Sequence, residues 1–154
     1  MLSILINIID YNNKKKILDF FKKKFDQNII NVIDVGGHKG ETINFFLKNF
    51  NIGKLFVFEP NKNLYDLLIK KFSQKNIFIF NYGAGFKKEK KKLNISIDSS
   101  SSTINNINMN TNYFKRKKKF LSLKNNSSYF VDVQEINVIN LSEFILSKQD
   151  KIDV

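Results

Sequence analysis

Apolar positions along the chain change their period several times, and each change marks an element. Residues 1–10 (MLSILINIID) form a short apolar opening, read as a capping strand or the start of a helix. Over residues 12–25 lysines alternate with Ile17, Leu18, Phe21 and Phe25, spaced as one face of a helix. That stripe is expected to pack on the domain that follows; a helix lying on a membrane surface shares the pattern. Residues 29–35 (IINVIDV) are apolar on both faces, as a strand covered by helices on both sides must be. Ile43, Phe46, Leu47 and Phe50 return to helical spacing, with Gly53 expected near the helix end. KLFVFE at 54–59 reads as a second buried strand. Pro60-Asn61 breaks it and opens a second helix with the stripe Leu64, Leu67, Leu68 and Phe72. NIFIFN at 76–81 is a third strand, ended by Tyr82-Gly83-Ala84-Gly85.

Strand, helix, strand, helix, strand with short connections predicts a βαβαβ unit with parallel strands and right-handed crossovers. This is half of a doubly wound α/β sheet, where ligands sit outside the carboxyl ends of the strands. Asp34, Glu59 and Asn81 stand at three such ends. The character changes after Gly85. Residues 87–92 are a basic turn, and Leu93, Ile95 and Ile97 alternate as in a half-exposed antiparallel strand. A polar stretch rich in serine and asparagine follows over 98–112. Residues 113–120 (YFKRKKKF) are the densest basic run, read as a loop anchored by its aromatics. Residues 129–139 read as a strand with Tyr129, Val131 and Val133 on one face. Ser142 is expected to cap a short helix, with Leu141 as its staple. The last residues, KIDV, read as the opening of a further strand.

Composition narrows the class. A chain of 154 residues, 42% hydrophobic and 26% charged, suits one globular domain. Absence of cysteine excludes disulfides and cysteine-ligated zinc or iron–sulfur sites, and no metal site is expected. No stretch approaches the roughly 20 apolar residues of a spanning helix, and the opening lacks the marks of a signal peptide. A cytoplasmic location is the expectation. The formal net charge of +12 invites a nucleic-acid reading. The excess is lysine, however, and Arg116 is the only arginine. Base readers and bidentate phosphate clamps favour arginine, so a solvated lysine surface is the better account.

Candidate chemistry concentrates in Gly36-Gly37-His38-Lys39-Gly40, between the first strand and its helix. Such a loop is expected to present bare N–H groups and the positive end of a helix dipole. Asp34-x-Gly36-x-x-x-Gly40 is neither the G-x-G-x-x-G of dinucleotide binders nor a P-loop. It suits a nucleoside ligand without a pyrophosphate. Gly36 and Gly37 would let backbone approach that ligand, and Gly40 would let helix approach strand. Glu59, at the next strand end, is placed to accept both hydroxyls of a ribose. Asn81 and Tyr82 could read and stack on a base, or simply form a turn.

DVGGHKGET, then FVFEPN, then NYGAG, a serine cluster, and a late strand with a Leu-Ser-Glu helix start resemble the FkbM-type methyltransferases. The resemblance implies the Rossmann-like, doubly wound fold of class I S-adenosylmethionine-dependent enzymes. By it, Asp34, Val35, Gly36, Gly37, His38 and Gly40 cradle the methionine part of the cofactor. Glu59 with Pro60 takes the ribose, and Asn81, Tyr82, Gly83 and Ala84 lie beside the adenine. The implied reaction is methylation of a hydroxyl on a sugar, glycan, lipid or natural product, with a small-molecule or glycan acceptor as partner. No catalytic base is assigned. His38, the only histidine, stands where the family commonly has asparagine. Histidine is the residue type best suited to move a proton near neutral pH, but here a loop filler or cofactor contact is the preferred reading. The family continues past KIDV into Lys-Ile-Asp-x-Glu-Gly. The chain therefore reads as an N-terminal portion, incomplete at the C-terminus and inactive by itself. It divides into a helical extension over 1–28 and a partial methyltransferase domain over 29–154: a cofactor-binding half to 85, then a hairpin, polar and basic loop and late strand. The far edge of the first strand is expected to be exposed. A non-enzymatic basic module for nucleic acid or anionic surfaces is the alternative; a nicotinamide enzyme is disfavoured by the glycine spacing.

Overall fold

The computed structural model describes residues 2–25, 28–99, 102–108, 110–120, 128–148 and 151–154. Ser100 and Ser101 of the serine cluster lie outside the described residues. Helix α1 (Leu2–Phe25) begins already in the apolar opening, which is therefore no strand. Phe25 is buried and Phe21 half-buried, while Ile17 faces solvent. Phe21 rests on Phe46 and Phe50, ring centroids 5.7 and 6.2 Å away, so the C-terminal end of α1 docks on the next helix.

Strand β1 (Ile29–Val35) falls where the apolar run places it. It feeds α2 (Glu41–Asn49), then β2 (Asn51–Phe58), α3 (Lys62–Lys71) and β3 (Ile77–Phe80). The three strands are parallel, in the order β1-β2-β3. One face buries Ile30, Val32, Leu55 and Val57 against Phe25, Ile43, Phe46, Leu68 and Phe72. On the other, Phe56 and Phe58 stack on Phe78 and Phe80 at 5.3 and 5.2 Å. Only β2 is buried on both faces, through Leu55, Phe56, Val57 and Phe58, which explains its unbroken apolar run. β1 is covered on one face alone, since Ile29 and Val35 are exposed, against the expectation of cover on both. Two details differ from the sequence reading. Gly53 lies inside β2, where a Cβ would meet Asn31 Oδ1 at 2.7 Å, so it serves strand contact and not a helix cap. Leu67 of the α3 stripe is exposed. Asn61 caps α3, accepting from the N–H groups of Asn63 and Leu64.

The remaining strands do not extend that sheet. β4 (Gly83–Gly85), β5 (Glu89–Ser96) and β6 (Phe130–Asn140) make a second, mixed sheet ordered β4-β6-β5. β5 and β6 are antiparallel; β4 runs parallel to β6. Leu93, Ile95, Ile136 and Val138 form its core. Val131 and Val133 are exposed while Tyr129 is buried, against the expectation of one shared face. The register shifts at Ile95/Ser96, and Tyr129 lies beyond the strand. The basic run is α4 (Asn112–Phe120), not a loop. Its anchor is Phe114, edge-on to Tyr129 at 4.7 Å; Tyr113 is exposed. α5 (Leu141–Leu146) is capped by Asn140, whose side chain accepts from Glu143 N–H, and not by Ser142. Phe144 of α5 lands edge-on against Phe58 at 5.0 Å, closing the aromatic face of the first sheet.

Residues 151–154 run along the β1 edge that β2 leaves free. Ile33 N–H donates to Val154 O at 2.8 Å and Asp153 N–H to Asn31 O at 2.9 Å. The edge expected to be exposed is thus covered at Asn31 and Ile33. Among the described residues no helix is long and apolar enough to cross a membrane.

Candidate functional site

The loop after β1 is bound to the end of β2 almost atom by atom. Gly36 and Gly37 N–H donate to Phe58 O at 2.8 and 3.2 Å, and Gly40 N–H donates to Gly37 O at 2.8 Å. His38 N–H donates to Glu59 Oε2 at 2.8 Å, and Lys39 N–H to Glu41 Oε2 at 3.2 Å. All five N–H groups expected to stand bare are therefore taken by the protein. A phosphate arriving at this loop would find a helix dipole, but the N–H groups of residues 36–40 are already engaged.

Each glycine has its own reason. Gly36 has φ +91° and nothing within 4 Å of a Cβ position, so its outer face is open. Gly37 is packed down: a Cβ would sit 2.4 Å from Val57 Cγ1. Gly40 has φ +84° and lies under Phe72, which a Cβ would meet at 2.3 Å. Its close approach is to the Leu68–Phe72 end of α3, not to a strand.

Glu59 is 5% exposed, yet its carboxylate lines a cleft. Asn61 N–H donates to Oε1 at 2.8 Å, opposite the His38 bond to Oε2. The carboxylate is thus fixed from both sides with lone pairs left over. Burial pushes its carboxyl above the ordinary range, and the N–H bonds from Asn61 and His38 pull it part of the way back. Asp34 ends β1 nearby and lines no part of the cleft. Its Oδ2 is buried without a hydrogen-bond partner. Burial, and then the charges of Glu59 and Glu41, push its carboxyl up to about 6.

The cleft has two hollows that share Gly36, Pro60, Leu93 and Ser102. One, of about 300 Å³, contains Glu59, His38, Asn61, Leu64 and Ser99. The other, of about 240 Å³, contains Val35, Phe58, Tyr82, Gly83 and Ala84, facing Thr103, Ile104, Ile136 and Val138. Sequence reasoning named one wall and missed the other, because Leu93, Ser99, Ile136 and Val138 belong to the second sheet and its turns. Asn81 lines neither hollow. Its amide donates to Glu59 O and Pro60 O at 2.9 and 3.0 Å, holding the turn that carries Glu59.

The lysine-rich stretch read as a turn over 87–92 enters β5 at Glu89, and its charges are largely paired: Lys87 and Lys91 with Glu89, Lys88 with Glu143, and Lys90 with Glu135. Among the described residues no group of three or more His, Cys, Asp or Glu is placed to hold a metal ion.

Asp34 gives a pH prediction. An unfolded aspartate titrates near 3.9, whereas folded Asp34 does so at about 6. Between those values the folded chain holds the extra proton, so stability falls as pH rises through the window and stays lower above it. Asp34→Asn is expected to unfold at higher urea at pH 8 than the parent, by about 1–3 kcal/mol, with no such gain at pH 3. An equal difference at both pH values would refute the burial account of Asp34.

No family model, curated protein or solved structure matches this chain.

Proposed function

We propose that the cleft binds S-adenosylmethionine and that the protein belongs to a methyltransferase acting on a hydroxyl acceptor, on a Rossmann-like, doubly wound frame of the class I type. The observation that carries this reading is the pairing of a phosphate-averse glycine loop with the buried, doubly anchored carboxylate of Glu59. The loop's own N–H groups are taken, and Asp34, Glu41 and Glu59 place three carboxylates about it, against the Lys71 ammonium that donates to Lys39 O. The carboxylates disfavour a pyrophosphate beside Glu59 and favour a cation such as a sulfonium or an ammonium. Glu59 retains acceptor capacity for two ribose hydroxyls. Gly36 leaves open the space in which a side chain would collide with a ligand. Leu93, Ile136 and Val138 offer an apolar wall for a base, with Tyr82 at the rim. The FkbM-like motifs of the sequence support the same reading.

S-Adenosylmethionine supplies an electrophilic methyl on a positively charged sulfur. The chain's part is alignment: its two hollows, joined at Gly36 and Pro60, can hold a nucleoside and an acceptor side by side for in-line attack.

Equilibrium dialysis with labelled S-adenosylmethionine tests the proposal, with NAD and duplex DNA as challengers. Saturable binding is expected, undisturbed by either and little changed by salt. Displacement by DNA with a steep salt dependence would instead favour the basic-module reading.

A further inference from the structure

Only two described residues other than glycine adopt a left-handed backbone: His38 (φ 47°) and Ser99 (φ 51°). They lie 61 positions apart in the chain, and their side chains meet. His38 Nε2 is 2.8 Å from Ser99 Oγ. Left-handed backbone is strained for a residue with a Cβ, and such strain collects at functional sites. Both residues line the hollow that contains Glu59. The serine turn is built to hold Ser99 there. Ser102 N–H and Oγ–H both donate to Ser99 O, and Ser96 N–H donates to Ser102 Oγ.

The other ring nitrogen fixes the proton. His38 Nδ1 lies 3.3 and 3.4 Å from the Glu41 carboxylate oxygens. Ionised Glu41 only accepts, so it keeps the imidazole proton on Nδ1. Nε2 is then bare, aimed into the cleft, and accepts from the Ser99 hydroxyl. Burial raises the Glu41 carboxyl, but bonds from its own N–H, His38 and Lys39 outweigh this, so it stays ionised to lower pH than usual. The imidazole thus has an acid partner behind it and an alcohol in front of it.

We propose that His38 is the catalytic proton acceptor and that Ser99 Oγ holds the place of the acceptor's hydroxyl, an aliphatic alcohol. This rests on the methyltransferase reading. His38 Nε2 takes the alcohol's proton, and the oxygen's electron pair forms the bond to the methyl carbon. The electron pair of the broken carbon–sulfur bond stays on sulfur, giving a neutral thioether, and His38 passes its proton to solvent. The strained Ser99 turn yields its position to the incoming hydroxyl.

The single histidine makes the test direct. Long-range ¹H–¹⁵N spectra at neutral pH are expected to show Nδ1 protonated and Nε2 bare, with Ser99→Ala moving the Nε2 signal. A proton on Nε2, or an Nε2 signal indifferent to Ser99→Ala, overturns the proposal. Methyl transfer to a panel of methyl glycosides and glycerol supplies the second arm. His38→Gln can keep the bond to Ser99 but cannot act as the base, so kcat is expected to fall about 100-fold or more while cofactor affinity stays within about threefold. A kcat near the parent's overturns the assignment, as does loss of cofactor binding, which would make His38 a cofactor contact. Failure of the parent to bind S-adenosylmethionine refutes the methyltransferase reading instead, and the tautomer then judges His38 alone.

Discussion

Gly40→Ala is expected to destabilise the fold by about 2–5 kcal/mol. Two costs add. At φ +84° a residue with a Cβ loses about 1–2 kcal/mol relative to glycine. The new methyl would also lie 2.3 and 2.7 Å from two Phe72 ring carbons. Phe72 is 6% exposed and belongs to the main core, so the ring has nowhere to swing. Overpacking of that kind costs about 1–3 kcal/mol. Gly36→Ala is the control, since its φ of +91° is similar but its Cβ would meet nothing within 4 Å. It carries the backbone cost alone, about 1–2 kcal/mol. Urea unfolding of the two variants separates the terms. Equal midpoints would mean that Phe72 does not pin the loop.

Much of the first sheet was legible because its strands are dense in β-branched and aromatic residues. β2 is buried on both faces and leaves the plainest signature, while β1 is a mostly apolar segment, interrupted by Asn31 and Asp34, that ends at a glycine pair. α3 announces itself through Asn61, whose capping chemistry is local. The second sheet was less legible for physical reasons. Its pairing of β4 with β6 joins Gly83 to Val138, a contact set by topology and not by any neighbouring residue. The bulge at Ile95/Ser96 breaks the two-residue period that a strand reading depends on. α4 was hidden because lysines carry no apolar stripe; Phe114 and Tyr129 make it a helix worth ordering.

At the candidate site the residue types were legible and their partners were not. Glu59 was read as a ligand-facing carboxylate, and it lines the cleft. That both its oxygens also hold backbone N–H groups depends on how the loop folds over β2. Gly36 and Gly37 read as letting backbone approach a ligand, yet only Gly36 is open and Gly37 is a packing residue; Gly40 reads as a packing glycine and is one, although against α3 and not a strand. His38 and Ser99 could not be joined by spacing alone, because the turn that brings Ser99 across belongs to β5 and the second sheet.

Glu59→Gln carries the second large effect. A glutamine presents one oxygen where Glu59 presents two, so either His38 N–H or Asn61 N–H meets an amide NH₂. Leaving that buried donor unpaired costs about 1–3 kcal/mol of stability. For the proposed ligand, one of two expected charge-assisted bonds to ribose would be lost and the other weakened, worth about 2–3 kcal/mol or roughly 30- to 150-fold in affinity. The two losses are separable, because the first is measured without ligand and the second on folded protein. Isothermal titration of the parent and of Glu59→Gln with S-adenosylmethionine, at a temperature where both are folded, tests the central claim most directly. The account predicts saturable binding by the parent and an affinity about 30-fold weaker or worse in the variant. No binding by the parent, or equal affinities in the two proteins, would contradict it.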